Sequence, residues 1–340
     1  DYNIKDVRLV LALEDKLKLI ELALTLAYDT KTNYDDVFAQ TRMWDALIYN
    51  YLLDKKIVVP PRRVAKKTEA FEGAYVKEPQ IGLHNWVASF DLNSLYPHLI
   101  MQYNISPETL VESADYTDEM RKLASDASVE NLLYQKLDTS VLKNVTITPN
   151  GQFFRTDKQG FLPAMMAEMY EDRKKFKKAM LKAEQEYENE KDENKKKELA
   201  KLIARYNNLQ LAKKVSLNSA YGAMGSQYFR FYDLRQALAI TQAGQLSIRW
   251  IENKLNEYMN EVLKTDKDYV IASDTDSIYF NLGPLVEKVY GAGGKVSLSG
   301  PKVIEFMDRV CEQKIQPRSE EHTSELQSLA YLVCRLLLEK

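Results

Sequence analysis

Apolar residues crowd the start of the chain. Ile4, Val7, Leu9, Val10, Leu11, Leu13, Leu17, Leu19, Ile20, Leu22, Leu24 and Leu26 sit among good helix formers, which predicts a largely buried helix over residues 4–27. Phe38, Met43, Trp44, Leu47, Ile48 and Tyr51, at mostly three-to-four spacing, predict a second helix over 37–53. Pro60 and Pro61 then bar helix, and IVVPPRRVAKK is expected to be extended, with four basic residues close behind the prolines. From residue 71 the period shortens. Residues 74–76 and 87–90 read as short strands around a turn at 79–85, and DLNSLYPHLI, with Pro97 in its first turn, opens a helix. Residues 111–150 are mixed and polar, which predicts a surface excursion. Helical patterns over 161–180 and 199–221 flank EQEYENEKDENKKKE, a stretch without Gly or Pro, so the two are expected to form a long antiparallel hairpin with a solvated tip. A further helix is predicted over 233–263. Then come strand, tight turn and strand over 269–280 (YVIA, SDTD, SIYF), a loop at GPLVEKVYGAGG, and a helix over 301–313.

Composition bounds the class. At 340 residues, 45% hydrophobic and 28% charged, the chain is globular, with room for two or three units. No apolar run nears the roughly 18 uncharged residues that a membrane span needs, so no membrane partner is expected. Two cysteines, Cys311 and Cys334, argue against a disulfide scaffold or a Cys-rich metal site and point to a reducing compartment. The opening DYNIKDVRLV has neither Met nor a basic flank; it is expected to be an internal stretch of a larger protein, not a signal peptide. The net charge of -2 conceals segregation: residues 173–214 hold 14 basic and 7 acidic residues, an excess of +7, against -9 for the rest.

The candidate chemistry is carboxylate and cation chemistry. Asp274 and Asp276 lie in SDTDS between apolar half-strands, where a short turn can aim both at one hard cation; an inert Asp-rich hairpin turn has the same pattern. Asp91 ends the apolar run 86–90 just before a helix start, a place that suits a metal with a phosphate and equally a helix N-cap. Together the three form a carboxylate set large enough for two Mg²⁺ ions. Lys214, Asn218 and Tyr221 fall on one helix face at i, i+4 and i+7, and Arg173 and Lys177 sit at i and i+4 on the partner helix. Such cations can converge on a polyphosphate or merely solvate a surface. No GxxxxGK[ST] or HExxH pattern occurs, so phosphate chemistry here must run on carboxylates, metal ions and Lys or Arg.

DLNSLYPHLI from Asp91, KVSLNSAYG from Lys214 and SDTDS from Ser273 resemble, in order, the three polymerase motifs of family B DNA polymerases, most nearly the replicative enzymes of T4-like phages. GAYV at Gly73 resembles the motif linking their proofreading and polymerase domains, and YNIKD, with Tyr2 and Asp6, the last exonuclease motif. The resemblance covers nearly all of residues 1–317. It departs at Ser273, where the family often has Gly, and at Ala220 in a motif often written NSLYG.

The resemblance implies an α/β architecture. It comprises an exonuclease remnant and linker (1–60), a mixed-sheet palm in two parts (61–162 and 226–317) and a helical-hairpin fingers domain (163–225). It implies two Mg²⁺ ions held at Asp91 and Asp276 beside Asp274. Tyr96 would stack under the sugar and exclude a 2′-hydroxyl. Arg173, Lys177 and Lys214 would hold the triphosphate, and Asn218 and Tyr221 would border the nascent base pair. Tyr2 and Asp6 would belong to the exonuclease metal site. The implied partners are dNTP, primer-template DNA and a sliding clamp reached through sequence beyond this chain, in the cytoplasm of a phage's host. A metal-dependent 3′–5′ exonuclease and a non-catalytic nucleic-acid-binding helical module remain open as alternatives. The run RSEEHTSELQS resembles a translated sequencing-library adapter, so residues 318–340 are expected to be an artefactual tail, with the true protein continuing past Pro317.

Overall fold

The computed structural model of the chain describes residues 2–62, 73–292, 295, 296 and 300–315. The adapter-like stretch and most of the basic run after Pro61 lie outside these. In chain order come α1 (Tyr2–Leu17), α2 (Leu19–Thr30), a 3-10 turn (Tyr34–Phe38), α3 (Gln40–Asp54), β1 (Val76–Lys77), β2 (Val87–Asp91) and α4 (Leu95–Tyr103). Next are α5 (Asp118–Asp126), α6 (Val129–Leu133), β3 (Val145–Ile147), β4 (Phe153–Arg155), α7 (Phe161–Asn189), α8 (Glu193–Met224) and α9 (Leu234–Leu263). Last among the described residues come β5 (Val270–Asp274), β6 (Ser277–Asn281), α10 (Gly283–Tyr290), the short pair β7 (Gly291–Ala292) and β8 (Lys295–Val296), α11 (Gly300–Val310) and a π-helical turn (Cys311–Ile315). Two units result: a helical one from residues 2–62 and 164–233, and an α/β one from 73–163 and 234–315. Among the described residues no helix is long and apolar enough to cross a membrane.

In the helical unit the predicted first helix is broken at Lys18, whose φ of 53° is left-handed. α2 buries Ala23, Leu26 and Ala27 and packs against α8. α1 buries nothing, and Ile4, Val7, Val10 and Leu11 are more than half exposed. The expectation of burial therefore holds for α2 and fails for α1, because no described surface covers the latter. α3 inserts Met43, Trp44 and Ile48, each at most 1% exposed, and the Trp44 indole donates to Ser219 Oγ at 3.0 Å. Lys213 bridges Asp29 at 2.7 Å and Asp172 at 3.6 Å, tying α2, α7 and α8 together. The hairpin helices run further than predicted, because the polar stretch holds good helix formers and no breaker. Only residues 190–192 separate them, and Asp192 caps α8 by accepting from the amides of Asn194 and Lys195.

In the α/β unit a four-stranded antiparallel sheet has the order β1-β5-β6-β2. The two early strands predicted to flank one turn are thus not partners; they form opposite edges, with the later hairpin inserted between them. α9 packs against β5, β6 and α4. Phe90, Val270, Ile278 and Phe280 are buried, whereas Tyr279, opposite Ser89, is exposed, the period-2 alternation of a sheet covered on one face. Residues 111–150 are not a mere surface excursion. Val111, Met120, Leu123, Ile147 and Phe153 form a core of their own around α5, β3 and β4. The stretch read as a loop from Gly283 is helical over Gly283–Tyr290: Pro284 occupies the first turn, where a missing amide costs nothing, and Leu285 and Val286 are buried.

Candidate active site

β2 and β6 pair with Asp91 opposite Ser277, and β5 and β6 pair with Asp274 opposite Ser277. One residue, Ser277, thereby brings the ends of β2 and β5 to the same edge of the sheet. Asp276 stands in the turn between β5 and β6. Its amide donates to the Asp274 carbonyl at 2.6 Å, and its carbonyl accepts from the Leu92 amide at 2.8 Å. The turn is strained: Thr275, a β-branched residue, sits at φ 57°. Its amide donates to the Tyr75 carbonyl at 3.0 Å, so the GAYV segment holds the turn from the other side.

Asp276 feels the other two carboxylates. Burial pushes the Asp276 carboxyl above the usual aspartate value, and the negative charges of Asp91 and Asp274 push it further. Asp91 accepts from the Ser277 hydroxyl at 3.0 Å, and Asp274 from the Thr275 hydroxyl at 2.9 Å. This donor set is chemically suited to a hard divalent cation, which would relieve the repulsion. As placed, the side chains do not close into a cage: among the described residues no group of three or more His, Cys, Asp or Glu could hold a metal ion.

Two further groups stand beside the turn. Tyr96 is half-buried in the first turn of α4, and burial, then the charge of Asp276, raises its phenol pKa. Lys77 on β1, opposite Ser273, bridges Glu252 of α9 and Asp268. Burial opposes its charge, but hydrogen bonds to Asp268 and Glu252 and both their charges outweigh it and raise its pKa. For Asp268, likewise, the Lys77 hydrogen bond and charge overcome burial and lower the pKa. The raised Lys77 gives stability that is complete below the ordinary lysine value and lost as pH climbs through the folded one. The lowered Asp268 gives stability complete above the ordinary aspartate value and lost as pH falls through the folded one. Lys77→Met, which leaves two carboxylates without their cation, should cost about 2–3 kcal/mol at neutral pH. Urea unfolding checks this; an unchanged midpoint contradicts it.

In the helical unit, Lys214 and Asn218 are exposed and Tyr221 is half-buried on α8, while Ser216, Leu217, Ser219 and Ala220 face inward. On α7, Lys177 is half-buried and Arg173 is only 8% exposed. Tyr2 and Asp6 lie on the exposed helix α1, and Tyr2 is 79% exposed. Sequence reasoning missed Ser277, Thr275, Tyr75 and Lys77 as supports of the turn. The hydroxyls of SDTDS were visible in the sequence; the backbone bond from Tyr75 was not, since it joins segments some 200 residues apart.

A family model described as DNA polymerase family B matches residues 37–297. The chain is similar to the DNA-directed DNA polymerase of Escherichia phage RB69, 31% identical over 360 residues, a match covering 93% of this chain and 38% of that protein. It is similar to that of Enterobacteria phage T4, 32% identical over 354 residues with the same coverages of 93% and 38%. The DNA polymerase delta catalytic subunit of Schizosaccharomyces pombe is 29% identical over 292 residues, covering 83% of this chain and 24% of that subunit. The chain thus spans 38% of the length of the phage relatives it matches.

Proposed function

Because this chain belongs to DNA polymerase family B, we propose that it carries the nucleotidyl-transfer centre of a template-directed DNA polymerase acting in replication. The reading rests above all on Asp91, Asp274 and Asp276 sharing one sheet end, where the charges of Asp91 and Asp274 act on the Asp276 carboxyl. The primer 3′-hydroxyl oxygen attacks the α-phosphorus of a dNTP; the bond to pyrophosphate breaks, and the hydroxyl proton passes to water. Two Mg²⁺ ions, when bound, lower the hydroxyl pKa and offset charge on the triphosphate. Asp91 and Asp276 would hold them, with Asp274 alongside. Ser277 and Thr275 orient Asp91 and Asp274 through their hydroxyls.

In this reading residues 61–162 and 226–317 are the palm and residues 163–225 are the fingers. Arg173, Lys177 and Lys214 hold the triphosphate, and Asn218 and Tyr221 border the new base pair. Residues 1–60 are the exonuclease remnant and linker, and Tyr2 and Asp6 take no part in the transfer. Residues 318–340 are the artefactual tail.

The test is primer extension by the full-length protein with Mg²⁺ and dNTPs, beside Asp91→Ala. Extension by the parent and none by the variant is expected; equal extension by both would remove the site. Tyr96 is the sugar gate in this reading. Tyr96→Ala should admit ribonucleotides at least about tenfold better, since the bulk that excludes a 2′-hydroxyl is gone. Unchanged preference between dNTP and rNTP would remove that role.

A further inference from the structure

Gly244 lies in the middle of α9, where glycine is a poor helix former. It is buried, and its neighbours along the helix, Ala243, Gln245 and Leu246, are buried too. A β-carbon at this position would stand 3.0 Å from Cε1 of Tyr96, closer than real packing normally allows. The same atom would lie 3.7 Å from Cδ2 of Leu95 and 3.7 Å from Cδ1 of Leu99, ordinary van der Waals distances. The conflict therefore falls on one ring and not on the core around it. α4 and α9 pack directly on each other, and Leu95 and Leu99 anchor α4 in that contact at 4% and 0% exposure. With the helix backbone held on both sides, a methyl group at 244 can be accommodated only by moving the ring.

We propose that Gly244 is a positioning residue for the nucleotide site: its missing side chain sets how deeply the Tyr96 ring seats against α9, and so where the ring edge meets the sugar. The inference rests on the reading of Tyr96 as the sugar gate. Adding a methyl group moves the ring a few tenths of an ångström away from α9 and narrows the space left for the incoming nucleotide. A deoxynucleotide then fits less well, and the penalty disappears when the ring is absent, because the methyl group occupies room the ring has vacated.

The experiment is single-nucleotide incorporation by the full-length protein with primer-template and Mg²⁺, using one dNTP and its rNTP. The proteins are the parent, Gly244→Ala, Tyr96→Ala and the double variant. Gly244→Ala should lower kcat/KM for the dNTP about tenfold, chiefly through KM. On the Tyr96→Ala background the same change should alter it by less than about twofold, the signature of coupling through one side chain. An equal loss on both backgrounds, or no loss on the parent, overturns the inference while leaving the gate intact. An rNTP preference unmoved by Tyr96→Ala overturns the gate reading, and the inference with it. Should Gly244→Ala unfold the protein, melting of the double variant decides: restored folding supports a clash with the ring, and continued unfolding overturns it.

Discussion

Asp276→Asn in the full-length protein should abolish dNTP incorporation, a fall of roughly a thousandfold or more, without loss of fold. Asn keeps the shape and withdraws the charge a divalent cation requires. The fold survives for an electrostatic reason. Burial, then Asp91 and Asp274, raise the Asp276 pKa, so between the ordinary and the raised value the folded chain retains a proton that the unfolded chain has released. Stability from this group is therefore greatest at acid pH. It falls as pH rises from the ordinary aspartate value through the raised one. Once ionised, the carboxylate opposes folding, and Asn removes that opposition. Without metal, the variant should melt at or above the parent; with Mg²⁺, only the parent should gain. A variant that melts lower, or that still incorporates dNTP, contradicts the assignment.

Lys214→Ala should slow single-turnover incorporation of a correct dNTP by roughly a hundredfold while barely changing affinity for primer-template. Lys214 is exposed on the α8 face that also carries Asn218 and Tyr221, and a dNTP tail needs cations to offset charge that metal does not. Lys195, in the first turn of α8 beside the Asp192 cap, supplies the control. Its contact with the cap is made by the backbone amide, so Lys195→Ala preserves it and should change neither quantity. If the two variants behave alike, the hairpin is only a basic surface, and a nucleic-acid-binding module becomes the better account.

The elements that carry their own pattern were legible. SDTDS between two apolar half-strands read as a hairpin, and the helices around the charged residues 184–198 lacked any breaker. What the chain could not reveal were pairings between distant segments. The strand at Val76 carries nothing that says its partner is Asp274, nor that Tyr75 holds the following turn. α1 is the more polar of the two, with Lys5, Asp6, Arg8, Glu14, Asp15 and Lys16 among its leucines, whereas α2 carries only Glu21 and Asp29; reading both as one helix hid that difference, and only α2 finds a surface. The small core at Phe153 was hidden because its apolar residues are spread over some 40 positions, too sparse for any one period. At the site, the acids were legible from their spacing. That the Ser277 hydroxyl orients Asp91 required the register of β6 against β2.

Product analysis tests the central claim most directly. The full-length protein is given Mg²⁺, a single dNTP and a labelled primer-template, beside Asp276→Asn. The account predicts a primer one nucleotide longer and one pyrophosphate released per extension, both lost in the variant. A primer shortened with release of nucleoside monophosphate, at a rate Asp276→Asn leaves unchanged, would contradict it.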